Sequence, residues 1–135
     1  LNSIELKTKI ESFEKHLDLY QEIDLSLDTF PYNGVTTTFE SLWMGVPVVA
    51  LAGAGMVGRL AASLLINGDQ ADWVARDSDS YVEIASTLAK AGPRNQIERL
   101  KLRRAVQASA LADGQRLSQE LEKNYWALRQ KVKTC

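Results

Sequence analysis

Cysteine is almost absent from this sequence, and that scarcity excludes two kinds of site. Cys135, the last residue, is the only cysteine among 135 residues. No disulfide can therefore form within the chain, and no cluster of thiolates can bind a metal. So little cysteine is typical of a protein from a reducing compartment, and we expect a cytoplasmic location.

Long apolar runs and a strong net charge are also lacking. No apolar run approaches the ~20 residues that a helix needs to cross a bilayer, and we find no internal repeat or low-complexity segment. The formal net charge is −1, which gives no general attraction to polyanions. We therefore expect neither nucleic acid nor a membrane among the partners. The length and the 45% of hydrophobic residues suit one globular domain.

The charges that are present are unevenly distributed along the chain. Residues 1–93 contain 6 Lys or Arg against 13 Asp or Glu, a net of −7, whereas residues 94–135 contain 10 against 4, a net of +6. The two parts attract each other, or the basic face is simply solvated, or the basic part binds a partner. The pattern alone leaves these interpretations open.

Strand patterns alternate with helix patterns along the chain, which indicates an α/β fold with a parallel sheet covered on both faces. Apolar or alternating runs predict strands at 3–7, 23–27, 48–51 and 73–75. Apolar residues at helical spacing predict helices at about 12–21, after the threonines at 36–38, and at 56–66, 78–91, 95–109 and 114–133. The last of these carries a stripe that we expect to be core or to dock against a domain: Leu117, Leu121, Tyr125, Leu128 and Val132.

Three successive threonines, Thr36, Thr37 and Thr38, stand where a helix is predicted to begin. The first turn of a helix has unpaired N–H groups and a partial positive charge, so it can hold an anion. The preceding Asn33-Gly34 pair allows a sharp turn and a close approach by a ligand. A helix cap needs only one threonine, so three in succession exceed what a cap requires. The stretch therefore either binds an anion or forms only a helix cap and a turn.

A glycine-rich stretch follows the predicted strand at 48–51. Gly53, Gly55 and Gly58 match the G-x-G-x-x-G spacing of dinucleotide-binding loops, and Asp72 and Asp77 lie about 20 residues further on. That fingerprint belongs on the first strand of its sheet, whereas at least two predicted strands precede this one. We favour a flexible strand-to-helix connection over a dinucleotide site.

The stretch LDTFPYNGVTTTFESLWMGVPVVAL, residues 27–51, resembles the C-terminal lobe of the O-linked N-acetylglucosaminyltransferase family, which includes the SPINDLY-type enzymes. The run LDTFPYNG-x-TTT-x-(D/E)-x-LWMGVPVV is a specific signature of that family. The resemblance continues in register at His16, 12 residues before Asp28, and at Arg59 and the helix that follows it. It covers essentially the whole chain, strongly in the middle and loosely over the last 40 or so residues.

The resemblance implies a Rossmann-like parallel sheet with flanking helices, part of the C-terminal lobe of a two-lobed GT-B glycosyltransferase. The donor would be a UDP- or GDP-sugar, with no cofactor and no metal, and a protein Ser or Thr would be the acceptor of an N-acetylglucosamine-like sugar. By position, Gly34, Thr36, Thr37 and Thr38 would bind the donor diphosphate, with Glu40 near the ribose and His16 near the base. No catalytic residue can be assigned.

Some positions depart from the family pattern. Val35 stands where the animal enzymes have a histidine, Phe13 and Leu19 replace basic residues that flank His16, and Gly58 replaces a serine. The family's phosphate-contacting lysine, its N-terminal lobe and its tetratricopeptide repeats have no counterpart in these 135 residues. We therefore expect a piece of a longer protein that is inactive in isolation.

A domain organisation and one alternative function accompany this interpretation. We expect residues 1–92 to form a partial nucleotide-sugar-binding lobe, with the helices of residues 93–135 packed on it. The alternative is a truncated, non-catalytic binding or docking module that retains the fold. In either case uncovered apolar surfaces and the edge of the predicted strand at 3–7 would favour self-association of the isolated chain.

Overall fold

A three-stranded parallel sheet lies at the centre of the computed structural model, which describes residues 4–7 and 10–133. The strands are β1 (Ser26–Leu27), β2 (Val48–Leu51) and β3 (Val74–Ala75), in the order β1-β2-β3. Ser26 is paired with Val48, and Ala50 with Val74. The predicted parallel sheet is confirmed, although β1 and β3 are shorter than the sequence patterns suggest.

Six α-helices accompany the sheet in the described part of the chain. They are α1 (Phe13–Asp18), α2 (Thr36–Trp43), α3 (Leu60–Asn67), α4 (Ser78–Lys90), α5 (Gln96–Ala108) and α6 (Gly114–Lys133). Every predicted helix is present, with ends displaced by a few residues. The largest displacement is at α3, because a 3-10 turn over Val57–Arg59 occupies the start of the predicted helix.

Side-chain caps explain where several of these helices begin. The Ser12 hydroxyl accepts the N–H of Lys15 at the start of α1. Asp77 and Ser80 form a reciprocal capping box at α4, as do Asn95 and Glu98 at α5. Each box satisfies N–H groups that have no acceptor within the helix. In α2, by contrast, no side chain makes a cap hydrogen bond.

The core lies between one face of the sheet and three helices. Its buried cluster joins β2 to α2, α3 and α5 through Leu42, Val48, Ala50, Ala61, Leu65, Leu102 and Val106. Successive strand residues point to opposite faces, so Val49, which is fully buried, faces away from this cluster. On that side α4 contacts β2 and β3. Helices therefore cover both faces of the sheet.

The structure contradicts one prediction from the sequence and one of the two alternatives in another. The strand expected at 3–7 is not formed over residues 4–7, where Ile4 and Leu6 are exposed; Ser3 lies outside the described residues. Residues 114–132 of α6 are all exposed, so its apolar stripe is not core. Leu117, for example, is 61% exposed and Val132 is 78% exposed. None of the described helices is both long enough and apolar enough to cross a membrane.

Candidate functional site: the start of helix α2

Helix α2 begins at Thr36 with its first N–H groups uncapped. The residue before it, Val35, has a side chain without a hydrogen-bonding group, and no side-chain cap is made. The first N–H groups of a helix have no intrahelical acceptor, and they lie at the positive end of the helix dipole. Thr36 and Thr37 are exposed there, whereas Thr38 is buried. The arrangement presents hydroxyl and N–H donors together.

Gly34 allows the backbone and two threonine hydroxyls to come close together. A Cβ atom at this position would lie 2.7 Å from Oγ1 of Thr37 and 3.1 Å from Oγ1 of Thr38. It would also lie 3.1 Å from Oδ1 of Asp28. A side chain at position 34 would therefore displace the Thr37 hydroxyl, and only glycine leaves this space free.

Asp28 holds the loop that leads into α2. Its Oδ1 accepts the N–H of Gly34 at 2.8 Å, and its main-chain carbonyl accepts the Tyr81 hydroxyl at 2.9 Å. Burial raises the pKa of the Asp28 carboxyl, and the Gly34 hydrogen bond partly opposes that rise. Within the described part of the chain, Asp28 Oδ2 and Asn33 Oδ1 are buried without a hydrogen-bond partner. The loop thus contains polar atoms that still lack partners.

His16 and Glu40 lie in direct contact. His16 Nε2 is 2.9 Å from Glu40 Oε2, with the Glu40 side chain 14% exposed. The hydroxyl of Tyr20 lies 3.3 Å from the same Glu40 oxygen and 3.3 Å from the carbonyl oxygen of Thr37. Burial and the nearby Glu40 raise the pKa of Tyr20 to about 12, so its hydroxyl stays protonated at neutral pH. Tyr20 therefore links the His16–Glu40 pair to the first turn of α2.

A cavity of about 420 Å³ lies beside His16, on the side of α1. Leu19, Tyr20 and Ile23 contribute apolar lining, and Glu5, Lys7 and Glu22 contribute charged groups. Apolar walls with a few polar groups are typical of small-molecule sites. The cavity and the pair of His16 and Glu40 lie next to one another.

The structure thus brings the sequence-predicted residues into two adjacent groups, one around Gly34 and one around Glu40. Tyr20 and Asp28 belong to these groups, although neither of them was predicted from the sequence to have a role. Both had a signal. Tyr20 lies one helical turn after His16, and Asp28 follows β1, at the carboxyl edge of the parallel strands where ligands bind.

The glycine-rich connection after β2 is closed on itself. The N–H of Gly53 donates to the carbonyl oxygen of Gly58 at 2.6 Å. A Cβ atom on Gly53 would lie 3.2 Å from Gly58 Cα, and α3 begins only at Leu60. The two glycines therefore serve a tight backbone contact, which supports the interpretation of a connection. Among the described residues, no group of His, Cys, Asp and Glu could hold a metal ion.

Comparison with known proteins gives consistent matches. The model of Glycosyl transferase family 41 matches residues 3–121. A probable UDP-N-acetylglucosamine–peptide N-acetylglucosaminyltransferase SPINDLY from Petunia hybrida is 43% identical over 110 residues, which are 82% of this chain and 12% of that protein. The rice protein of the same description is 38% identical over 122 residues, 90% of this chain and 13% of that protein.

A solved structure is similar as well. A point mutant of O-GlcNAc transferase from Thermobaculum terrenum superposes with a TM-score of 0.69 and 40% identity, covering 82% of this chain and 21% of that one. The chain spans only about an eighth of the curated relatives. The expected α/β fold, part of the C-terminal lobe of a GT-B glycosyltransferase, is confirmed. Since the family model matches well over half of the sequence, the chain belongs to glycosyltransferase family 41.

Proposed function

We propose that this chain supplies the donor-diphosphate-binding part of a nucleotide-sugar-dependent glycosyltransferase. The observation that carries the proposal is the uncapped start of α2, opened by Gly34, with Thr36 and Thr37 exposed beside it. In this proposal residues 1–92 form the donor-binding lobe, and the segment of residues 93–135 packs on it through α5, because residues 114–132 of α6 are exposed. Leu102 and Val106 of α5, which lie in the core cluster, support that division.

The chemistry of this site is electrostatic. As a sugar leaves its nucleotide, negative charge grows on the departing diphosphate. Hydroxyl and N–H donors that are already in place stabilise that charge without reorganising, and such stabilisation is a large contribution to many enzymatic rates. Thr36 and Thr37 would donate from hydroxyl and backbone, with the amide of Thr38 beside them, and the helix dipole adds a favourable field.

The rest of the nucleotide would lie toward Glu40 and His16. A carboxylate accepts hydrogen bonds from paired hydroxyl groups, so Glu40 suits the ribose. His16 stands at the edge of the cavity beside α1, where a planar base could contact the imidazole. The hydrogen bonds from His16 and Tyr20 fix the Glu40 carboxylate, so little side-chain freedom is lost when a ligand binds.

The full enzyme would transfer an N-acetylglucosamine-like sugar to Ser or Thr of a protein. The Petunia and rice relatives, each described as a probable peptide N-acetylglucosaminyltransferase, support this part of the proposal. UDP-sugars and GDP-sugars both remain as donors. The single cysteine accords with the cytoplasm as the site of action.

Binding of UDP and GDP to the natural protein that contains this chain tests the proposal. Isothermal titration calorimetry should show binding of one nucleotide, weakened at least ~100-fold by Thr36→Ala with Thr37→Ala, because each hydrogen bond to a charged group contributes about 1.5–3 kcal/mol. Replacing both by serine keeps the hydroxyls and should retain most of the affinity. Thr87→Ala is the control, because its hydroxyl only bonds the Glu83 carbonyl within α4. No binding, or equal binding by all variants, would refute the proposal.

The alternative function is a non-catalytic docking module. It is favoured by one observation, the exposed apolar stripe on α6, which also supports self-association of the isolated chain. The two functions differ in the calorimetric result, because a docking module would bind neither nucleotide. For self-association, analytical ultracentrifugation should show a mass that rises with concentration, and a monomer at every concentration would contradict it.

A further inference from the structure

A second cavity, of about 480 Å³, lies at the other end of α2, against α5. Helix α2 has eight residues, so at 1.5 Å per residue this end is roughly 10 Å from Thr36 at its start. The cavity has no residue in common with the proposed donor site. Its lining is rich in cationic and amide groups, namely Gln21, Arg94, Gln96, Arg99 and Arg103, beside Trp43.

Two of these arginines contact aromatic rings, and among the described residues neither of them pairs with a carboxylate. The guanidinium carbon of Arg94 lies 5.6 Å from the ring centroid of Trp73, and that of Arg103 lies 4.9 Å from the centroid of Trp43. In the part of the chain that the structure describes, neither side chain forms a salt bridge or donates a hydrogen bond. Ring contacts restrict the guanidinium planes and leave their N–H edges available.

The third arginine is already engaged. Arg99 donates to the carbonyl oxygens of Tyr20 at 2.8 Å and Ile23 at 2.6 Å, and it lies 3.5 Å from Asp24 Oδ1. It fixes α5 to the segment after α1, and its charge adds to the positive potential. The Glu98 carboxylate, on the same helix, accepts the N–H of Asn95 at 3.0 Å, and among the described residues it forms no salt bridge with the cavity arginines.

We propose that this cavity binds a small molecule with at least two anionic groups, phosphate or carboxylate, held by Arg94 and Arg103. The volume lies within the roughly 300–1,000 Å³ of typical small-molecule sites. The forked guanidinium donors match the oxygens of phosphate and carboxylate groups. The amides of Gln21 and Gln96 supply further hydrogen bonds. The position of the cavity, at the opposite end of α2 from the donor site, allows both ligands to be bound together.

Calorimetric titration of the full natural protein with pyrophosphate and, separately, with citrate at 150 mM NaCl tests this site. The protein carries Thr36→Ala and Thr37→Ala, so that pyrophosphate at the proposed donor site does not contribute. We expect binding of at least one probe, weakened about 10- to 100-fold by Arg94→Gln and likewise by Arg103→Gln. The tighter probe identifies the preferred anionic group.

Arg129→Gln is the matched control, because Arg129 also stacks over a tryptophan, Trp126 at 5.1 Å, but lies on α6 outside the cavity. Circular dichroism establishes that each variant is folded, and Arg103→Lys, which keeps the charge without the fork, replaces Arg103→Gln if that variant unfolds. Absence of binding by both probes would overturn the proposal. So would equal weakening by the cavity variants and by Arg129→Gln, which would show nonspecific attraction to positive charge.

Discussion

Gly45 connects α2 to β2 at a point where the backbone of α5 comes very close. Its φ is +77°, in the left-handed region, and a Cβ atom there would lie 2.5 Å from the carbonyl oxygen of Arg99 and 2.6 Å from its Cα. Both are backbone atoms of a helix, so they cannot rotate away as a side chain could. Replacing Gly45 with alanine must therefore shift α5 or the turn itself.

Gly92 offers the matched comparison, because it has φ +80° but nothing within 4 Å of its Cβ position. The left-handed conformation costs a non-glycine residue about 1–2 kcal/mol. The smaller entropy of the unfolded alanine chain offsets about 0.4–1 kcal/mol of this. We expect Gly92→Ala to lower the free energy of unfolding by about 1 kcal/mol. Overpacking adds about 1–3 kcal/mol, so Gly45→Ala should lower it by about 2–4 kcal/mol.

Urea denaturation followed by tryptophan fluorescence measures both losses, and Trp43 in α2 reports on the affected helix. The difference between the two variants isolates the contact with α5 from the backbone conformation that they share. Equal losses would refute the close packing of α5 on the turn after α2. They would also remove support for packing of the C-terminal helices on the lobe.

Two further predictions concern the loop and the hydrogen bonds around the proposed donor site. Burial raises the folded-state pKa of Asp28 above its unfolded value of 3.8. The free energy of unfolding should therefore fall as the pH rises from the unfolded pKa through the folded pKa of this carboxyl. In urea denaturation, the Asp28→Asn variant should therefore be more stable than the parent at pH 7, and its advantage should be smaller at pH 4. Lower stability of the variant at both pH values would contradict the destabilising burial of a charged carboxylate. Tyr20→Phe should lower the free energy of unfolding by about 0.5–1.5 kcal/mol. It should also abolish a decline in stability expected between pH 10 and about 12, and an unchanged decline would show that Tyr20 does not cause it.

The sequence was informative wherever local chemistry determines the structure. Strand β2 has the predicted bounds, because an apolar run that is buried on both faces leaves little ambiguity. The helices predicted at about 12–21 and at 95–109 are confirmed for a similar reason, since caps and helical spacing act within a few residues. The helix predicted at the threonines begins at Thr36, whereas the lack of a side-chain cap there became apparent only from the structure.

Features that depend on tertiary packing were not predictable. The alternation of Ile4 and Leu6 is typical of a strand, yet a strand needs a neighbour to pair with, and a pattern cannot supply one. The contact of Tyr20 with Glu40 joins residues 20 positions apart, so it depends on how α1 lies against α2. The stripe on α6 shows the limit most clearly, because an amphipathic pattern indicates a face that can be buried but does not identify its partner.

Hydrogen–deuterium exchange of the natural protein that contains this chain, with and without UDP or GDP, tests the central claim most directly. If the start of α2 holds the donor diphosphate, the nucleotide should slow exchange at the amides of Thr36, Thr37 and Thr38. Exchange over residues 53–58 should then change little, because Gly53 and Gly58 already form a closed turn. Protection over residues 53–58 without protection at the three threonines, or no protection in either segment, would contradict the claim.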